Sequence, residues 1–307
     1  MAVLAGTNVL ITGGAGFIGG HLARELADRA SVTILDTRET PKLELPASVS
    51  HEVTDIRNED AITTAVEAAD VVFHHAAAVS VEHSTEDPVG TDAINLEPVL
   101  TILEAARRTD TRVVLASSAA IYGHPQELPI TESHPTTPAS PYGIQKLAAD
   151  HYARVYHEIY GLETVALRYF NVYGPGQTGG DYAGVVAAFI TQALKDDPIT
   201  VHGDGAQTRD FVFVEDVVDA TVAAAETEHV GESFNVATGE TISIRSLADQ
   251  VQSLTDTESE IVHVDARDGD IDRSRATIHK AQNALNFEPQ VPLEEGLART
   301  IDWYRPR

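Results

Sequence analysis

Short apolar runs alternate with helix-length amphipathic stretches through the first half of the chain. Runs rich in valine, isoleucine and leucine predict strands at residues 8–12, 31–36, 50–54, 71–74, 112–117 and 164–169. Apolar residues at helical spacing predict helices at residues 17–27, 60–68, 92–108 and 141–160. Apolar strands that alternate with helices are typical of a parallel sheet covered on both faces. The pattern therefore predicts an α/β fold with a Rossmann-type, doubly wound parallel sheet.

The pattern changes after Asn171, where the loops lengthen and the helices become isolated. The predicted helices in this part are residues 184–194, 217–226, 243–255, 280–286 and 293–303. We expect residues 1–171 to form the Rossmann domain. Residues 172–307 are expected to form a smaller, mixed α/β C-terminal lobe for the substrate, with some segments returning to the main sheet.

The composition excludes several classes of protein. The chain has 307 residues and no cysteine, which excludes disulfides, thiolate metal sites and a cysteine nucleophile. No apolar run reaches the roughly 18 residues of a membrane span, and the first residues lack the basic start of a signal peptide. These observations predict a soluble, cytoplasmic protein with no membrane partner.

The charge is strongly negative. The 47 acidic residues outnumber the 21 basic ones, and the net charge is −26. Such a field repels nucleic acid and anionic lipid, so neither is expected as a partner. The acids are spread along the whole chain, which favours a surface adapted to concentrated salt, and a halophilic source is a hypothesis. A binding site for a basic partner is the alternative.

A glycine-rich turn follows the first predicted strand. Gly13, Gly16 and Gly19 allow a tight turn and a close approach to a pyrophosphate, which the following helix N-terminus attracts. Asp36 ends the second strand, 17 residues past Gly19, close to the spacing of a ribose ligand. A carboxylate there favours NAD over NADP, although Arg38 is placed to bind a 2′-phosphate.

A Tyr-x-x-x-Lys pair lies on the predicted helix 141–160. Tyr142 and Lys146 are four residues apart and share one face, and Ser140 is a good N-cap. The pKa of a tyrosine is ordinarily about 10. A nearby ammonium, a helix N-terminus and a nicotinamide cation each lower it toward neutrality. Tyr142 would then serve as a base, with Ser118 holding the substrate hydroxyl. An ordinary amphipathic helix is the alternative.

Taken together, these motifs resemble the extended short-chain dehydrogenase/reductases, and among them the NAD-dependent sugar epimerase/dehydratase family. The resemblance covers essentially the whole chain and is nearest to its UDP-glucose 4-epimerases. The motifs that carry it are Thr12-Gly13 with Gly16 and Gly19, Asp55-Ile56, His74-His75-Ala76-Ala77, Ser117-Ser118-Ala119-Ala120-Ile121-Tyr122-Gly123, Pro141-Tyr142-Gly143 with Lys146, Arg168-Tyr169-Phe170-Asn171, Arg209-Asp210 and Arg267-Asp268-Gly269-Asp270.

The resemblance implies a set of site residues. Ser118, Tyr142 and Lys146 would be catalytic. The NAD site would consist of Gly13, Gly16, Phe17, Ile18, Gly19, Asp36, Asp55, Ile56, His75, Ala76, Ala77, Asn95, Tyr142, Lys146 and Phe170. The nucleotide sugar would be held by Ser118, Tyr142, Asn171, Val185, Arg209, Arg267, Asp270 and Ser274. Arginines suit this role because a guanidinium binds a diphosphate through two hydrogen bonds.

The resemblance also distinguishes between reactions. Dehydratases and decarboxylases of the family carry acids just after the strand-end serine, where this chain has Ala119 and Ala120. The remaining expectation is a nucleotide-sugar 4-epimerase of the UDP-glucose/UDP-galactose type. It would act by reversible hydride transfer to tightly bound NAD through a 4-keto intermediate. The alternatives are an NAD-dependent sugar oxidoreductase, a UDP-glucuronate epimerase and, in another class, a non-catalytic NAD-sensing module.

Four further expectations concern single features. Ser274 stands where the family has a pocket-gating residue, so its small side chain is expected to admit an N-acetyl group. Pro98 is expected to kink the helix 92–108 or shift its start. The histidine spacings give no metal site. The helices 92–108 and 141–160 pair across a homodimer in the family, so a homodimer is expected.

Overall fold

The fold was analysed in a computed structural model, which describes residues 4–178, 184–267 and 269–305. The strands are β1 (Asn8–Thr12), β2 (Ser31–Asp36), β3 (Ser50–Val53), β4 (Val71–His74), β5 (Arg112–Ser118), β6 (Thr164–Tyr169), β7 (Asn171–Tyr173), β8 (Ile199–His202), β9 (Thr208–Arg209), β10 (Phe211–Phe213), β11 (Glu232–Val236), β12 (Ile242–Ser243) and β13 (Ile261–Val264). The helices are α1 (Phe17–Leu26), α2 (Glu59–Glu67), α3 (Val81–Glu86), α4 (Pro88–Asn95), α5 (Glu97–Thr109), α6 (Pro141–Tyr160), α7 (Val185–Ala193), α8 (Val214–Glu226), α9 (Ile244–Thr255), α10 (His279–Leu285) and α11 (Leu293–Tyr304).

Seven parallel strands form the central sheet, in the order β11-β6-β5-β4-β1-β2-β3. The chain builds outward from β1 to β3 and then returns to place β4 on the other side of β1. This reversal creates a crevice at the carboxyl ends of β1 and β4, where ligands bind in folds of this kind. The predicted Rossmann-type parallel sheet is confirmed.

Two layers of helices cover the sheet. Strand residues alternate between them, so that Val9 and Ile11 pack with α1 and α8 while Leu10 packs with α2 and α5. Both layers are closed by buried aliphatic side chains, which is why the inner strands are largely apolar and buried, whereas the edge strand β3 is polar and mostly exposed. The sheet is therefore a rigid support whose polar carboxyl edge is free to build a site.

The second half of the chain contributes to both the main sheet and a smaller lobe. Strand β11 pairs with β6 and extends the main sheet. Three two-stranded sheets, β7 with β10, β9 with β12 and β8 with β13, surround a separate core that includes Phe189 and Leu247. The division of function between residues 1–171 and 172–307 stays a prediction.

The predicted helix 92–108 is wrong as one element. The structure has α4 and α5 there, with a break at Leu96. Pro98 is in the first turn of α5, where a missing amide hydrogen costs nothing, so it starts a helix rather than kinking one. Helix α3 and strand β11 had no individual prediction, and β5 extends one residue beyond the predicted 112–117, so that it ends at Ser118. None of the described helices is long and apolar enough to cross a membrane.

Candidate active site

A cavity of about 990 Å³ opens at the carboxyl edge of the sheet, between the sheet and the smaller lobe. Its wall includes the turn after β1, the ends of β2, β4, β5 and β6, and residues of the lobe. The cavity therefore occupies the crevice that the strand order creates. Many of the predicted site residues line it: Gly13, Gly16, Phe17, Ile18, Gly19, Asp36, Asp55, Ile56, His75, Ala76, Ala77, Ser118, Tyr142, Lys146, Phe170, Asn171, Arg209 and Ser274.

The glycine turn leaves no room for side chains. Gly13 has φ +73°, and a Cβ there would lie 2.7 Å from the amide nitrogen of Ala76. A Cβ on Gly19 would overlap the carbonyl oxygen of Gly13. Gly16 is the N-cap of α1 and provides no side chain to cap the helix. The first amides of α1 are thus placed at the cavity, which fits the pyrophosphate of a dinucleotide.

The carboxylate of Asp36 is fixed at the end of β2. Its Oδ2 accepts a hydrogen bond from the amide of Ala15 (3.1 Å), and its Oδ1 accepts one from the amide of Arg38 (3.0 Å). Lys42 also lines the cavity and donates to Thr178 Oγ1 over 2.9 Å. Burial lowers the pKa of Lys42 and the charge of Arg38 adds to the effect. A carboxylate in this position fits ribose hydroxyls, and the preference for NAD over NADP stays a prediction.

Asp55 and Ile56 form the neighbouring wall. Asp55 makes an ion pair with Arg57, with 2.6 Å between Oδ2 and Nη2. Hydrogen bonds from Arg57 lower the pKa of Asp55 to about 2, so this carboxylate is charged at neutral pH. A permanently charged acceptor and an apolar side chain together suit a purine ring.

The predicted catalytic residues come together at the other end of the cavity. Ser118 ends β5, and Tyr142 and Lys146 share one face of α6, which Ser140 caps through the amide of Gly143 (3.1 Å). The hydroxyl of Ser118 hydrogen-bonds the Tyr142 phenol. Lys146 Nζ lies 6.0 Å from the centre of the Tyr142 ring and donates to Ala116 O over 2.9 Å. This arrangement brings a hydrogen-bonded phenol and an amine to one point of the wall.

Burial dominates the acid–base properties of this trio. It raises the pKa of Tyr142, while the hydrogen bond from Ser118 lowers it. Burial also lowers the pKa of Lys146 to about 8. The sequence predicted a lowered pKa for Tyr142, and that expectation is wrong for the protein alone. The positive charge of a nicotinamide ring, when bound, would lower the pKa of Tyr142 further.

Aromatic and small residues line the cavity beside the catalytic trio. His75 Nε2 lies 3.1 Å from the hydroxyl of Tyr169, and both residues belong to the wall. Burial lowers the pKa of His75 to about 3, so its ring is neutral. Asn95 does not line the cavity. Its side chain instead holds both the amide and the carbonyl of Ala78, over 2.8 and 3.0 Å, and Ala78 lines the wall.

The substrate end is built by the smaller lobe. Arg209 lines the cavity and forms an ion pair with Asp270 at 2.5 Å. Ser274 is 8% exposed and belongs to the wall. Val185, Arg267 and Asp270 lie outside the wall, and the side chain of Arg267 is exposed. Asp268, which the resemblance also included, lies outside the described residues.

Sequence reasoning missed part of the cavity wall. Lys42, Val79, Val81, Gln177 and Ile271 line it without belonging to a recognised motif. They lie on loops or at the start of a six-residue helix, where no periodic pattern marks them. Within the residues that the structure describes, no three histidines or carboxylates are grouped closely enough to hold a metal.

The glycine turn, the strand-end aspartate and the Ser-Tyr-Lys trio define a nicotinamide-dinucleotide site of the short-chain dehydrogenase/reductase type. Residues 9–237 match the model of the NAD dependent epimerase/dehydratase family. The chain belongs to this family, which confirms the resemblance predicted from the motifs. The family is NAD-dependent, so NAD is the cofactor that the cavity fits.

Relatives of known description share the whole length of the chain. The UDP-glucose 4-epimerase of Mycolicibacterium smegmatis is 37% identical over 306 residues, covering 96% of this chain and 98% of the relative. A UDP-N-acetyl-alpha-D-glucosaminuronate decarboxylase of Bacillus cytotoxicus is 35% identical over 313 residues, covering 96% and 97%. The family therefore includes both epimerases and decarboxylases at similar distance.

Solved structures have the same fold. The UDP-N-acetylglucosamine 4-epimerase of Methanobrevibacter ruminantium, in complex with UDP-N-acetylmuramic acid, has a TM-score of 0.93 at 34% identity and covers 98% of both chains. The UDP-glucose 4-epimerase of Thermotoga maritima, with UDP-glucose, has a TM-score of 0.93 at 34% identity, covering 97% of this chain and 98% of that one. The NAD complex of the Thermus thermophilus UDP-glucose 4-epimerase has a TM-score of 0.89 at 37% identity, with the same coverage.

Proposed function

We propose that this protein is a nucleotide-sugar 4-epimerase of the UDP-glucose/UDP-galactose type with tightly held NAD. The observation that carries the proposal is the distribution of acids around the cavity. Asp36 and Asp55 are the only carboxylates among the described residues that line it, and both are at the adenosine end. Ala119 and Ala120 follow Ser118 instead. In the part that the structure describes, the sugar end thus has a base and no second acid for elimination or decarboxylation.

The trio at the sugar end has separate tasks. Tyr142, as phenolate, takes the proton of the C4 hydroxyl at its phenol oxygen, and Ser118 orients that hydroxyl by hydrogen bond. NAD, which the glycine turn and Asp36 would hold, would supply the oxidised acceptor and the reduced donor of the C4 hydride when bound. The 4-keto sugar then rotates so that the opposite face of C4 receives the hydride. Tyr142 returns the proton to the C4 oxygen. Lys146, held by Ala116, stabilises the phenolate while its amine is protonated.

The test uses purified protein in molar KCl without added NAD. UDP-galactose is supplied and UDP-glucose is measured by chromatography, with Tyr142→Phe as the control. Conversion that Tyr142→Phe abolishes, with NAD retained in both proteins, is the expected result. No conversion with NAD still released on denaturation would overturn the UDP-hexose assignment and favour UDP-glucuronate. Absence of bound NAD would favour an oxidoreductase or a sensor.

Ser274 supports a wider substrate range. Its side chain is small, 8% exposed and part of the cavity wall. A hydroxymethyl group here leaves space that a larger residue would fill, so N-acetylhexosamines are expected to be accepted. Failure to convert UDP-N-acetylglucosamine while UDP-glucose is converted would contradict this extension.

We also propose a homodimer formed through α5 and α6. Ile144 and Ile159 on α6 are 58% and 65% exposed, and both belong to one stripe of the helix. Tyr160 at the end of α6 is 52% exposed and lies under Arg107 of α5. Light scattering should give twice the chain mass, and Ile144→Asp should give the monomer. Glu258→Lys, a charge change at an exposed residue between α9 and β13, is the control.

The surface charge supports adaptation to salt. With a net charge of −26, self-repulsion destabilises the compact state until salt screens it. The midpoint temperature of thermal unfolding should rise strongly between dilute buffer and molar KCl. A midpoint that stays constant would contradict the halophilic hypothesis. The cytoplasmic location stays a prediction from the sequence.

A further inference from the structure

The backbone of the proposed base is held by a side chain from another helix. The amide of Tyr142 donates a hydrogen bond to Ser84 Oγ over 3.1 Å, in a buried position. Tyr142 is the second residue of α6, so its amide has no acceptor within the helix. Ser140 Oγ accepts a hydrogen bond from the amide of Gly143, so the amide of Tyr142 bonds to Ser84 instead. The first turn of α6 therefore depends on two serines, one of them 58 residues away in sequence.

Ser84 is itself fixed. It is fully buried in α3, and its hydroxyl donates to Val81 O over 2.6 Å. That bond uses the hydroxyl hydrogen and turns the oxygen lone pairs toward Tyr142. Val81 lines the cavity, so the same short helix forms part of the wall and holds the base. No family motif recognised in the sequence includes Ser84.

A second set of bonds ties the same segment to α6. Gln145 Nε2 donates to Thr91 Oγ1 over 3.1 Å and to Pro88 O over 3.3 Å. Gln145 Oε1 accepts from Asn95 Nδ2 over 2.8 Å. Asn95 also holds Ala78, a residue of the cavity wall. Residues 78–95 thus connect the wall beside the catalytic trio to the first two turns of the catalytic helix.

We propose that Ser84 is a positioning residue for the reaction: its hydroxyl fixes the Tyr142 backbone so that the phenol stays in hydrogen bond with Ser118. This inference rests on the proposed function for its kinetic readout. Without Ser84, the Tyr142 amide is buried and unpaired, and the turn relaxes to find water or another acceptor. Displacement of a reacting group from its productive geometry slows the chemical step, by up to about a hundredfold for 1 Å.

A loosened phenol also changes its own titration. The bond from Ser118 lowers the pKa of Tyr142 against the effect of burial. When that bond lengthens, the pKa of Tyr142 rises. The acid limb of the kcat profile then moves to higher pH. A residue with only a structural role would lower the amount of folded enzyme and leave the position of the profile unchanged.

The experiment compares Ser84→Ala with Thr85→Ala in the purified holoenzyme. Thr85 is the adjacent, exposed residue, and it also donates to Val81 O, over 3.1 Å, whereas the Tyr142 amide bonds to Ser84. We expect Ser84→Ala to lower kcat about tenfold with KM unchanged, and to move the acid limb to higher pH. Thr85→Ala should match the wild type in both. Ser84→Cys, which keeps the size but accepts weakly, should be intermediate.

A substrate-independent readout separates this inference from the proposed function. Ultraviolet titration of tyrosinate, with the Tyr142→Phe spectrum subtracted, reports Tyr142 directly, and near-ultraviolet circular dichroism confirms that each variant is folded. Tyr142 should titrate at higher pH in Ser84→Ala than in Thr85→Ala. If wild type converts no UDP-sugar, the proposed function fails and this titration still decides the role of Ser84. Equal titration in the two variants, or equal kcat, would overturn the role.

Discussion

Arg168 and Asp150 form a buried, two-point ion pair directly behind the catalytic helix. Nε and Nη2 of Arg168 lie 2.9 and 3.0 Å from the two oxygens of Asp150, and the side chains are 8% and 2% exposed. Asp150 is one turn beyond Lys146 on α6, and Arg168 is in β6. Nη1 of Arg168 donates to the carbonyl of Glu132 over 2.9 Å. The pair therefore fixes α6 to the sheet at the level of the site.

Arg168→Met is expected to destabilise the fold strongly, because Asp150 would remain buried without its counter-ion. Breaking a buried pair from one side costs about 3–5 kcal/mol. The double variant Arg168→Met/Asp150→Asn removes the stranded charge and should recover part of that loss. Urea unfolding at constant KCl measures the free energy of unfolding of the single and the double variant, since urea does not screen charges. A single variant as stable as the double variant would show that the pair is not coupled.

Two adjacent glycines of α1 provide a matched test of the cofactor turn. A Cβ on Gly19 would overlap the Gly13 carbonyl, whereas one on Gly20 would lie 3.4 Å from the nearest side-chain atom of Leu43, an ordinary contact. Gly19→Ala should push Gly13 out of place, cost about 1–3 kcal/mol and lose bound NAD. Gly20→Ala should keep NAD. The NAD content of each protein after denaturation is the measurement, and equal retention would contradict the proposed cradle.

The main sheet followed from the sequence because its signals are local. Strands β2, β4 and β6 are apolar runs with polar or turn-forming ends, and their predicted bounds agree with the structure. The two- and three-residue strands of the lobe are too short for a periodic signal. Strand β10, for example, exists because Phe211 pairs with Asn171, forty residues earlier. Such pairings are decided by tertiary packing.

The site was predictable where chemistry requires a fixed spacing. Ser118, Tyr142 and Lys146 meet at the cavity because a strand end and one helix face determine their positions. Asn95 and Asp270 lie outside the cavity wall because of their hydrogen-bond and ion-pair partners, which the spacing of residues in the sequence does not indicate. Asn95 bonds to Gln145, and Asp270 bonds to Arg209. The pKa of Tyr142 was likewise decided by burial, which a motif does not report.

Lys146 should make the stability of the protein depend on alkaline pH. Burial lowers its pKa from 10.5 to about 8 in the folded state. Between these values the unfolded chain holds the proton and the folded protein does not, so the free energy of unfolding rises with pH. The free energy of unfolding of wild type minus that of Lys146→Met should therefore rise by about 3 kcal/mol across that window. Urea unfolding of both proteins at several pH values measures it, and a constant difference would contradict the lowered pKa.

Ser274 should decide which sugars enter the cavity. Ser274→Tyr adds a ring to a wall position that is 8% exposed, so it reduces the space in the cavity that Tyr142 and Ser118 also line. Turnover of UDP-N-acetylglucosamine should fall about a hundredfold, while UDP-glucose should lose less than about fivefold, since only the larger substrate meets the ring. Ser274→Ala, which keeps the space and removes the hydroxyl, should leave the ratio of the two kcat/KM values unchanged. A Tyr variant that loses both substrates equally, with normal NAD content and unfolding temperature, would show that Ser274 does not select the sugar.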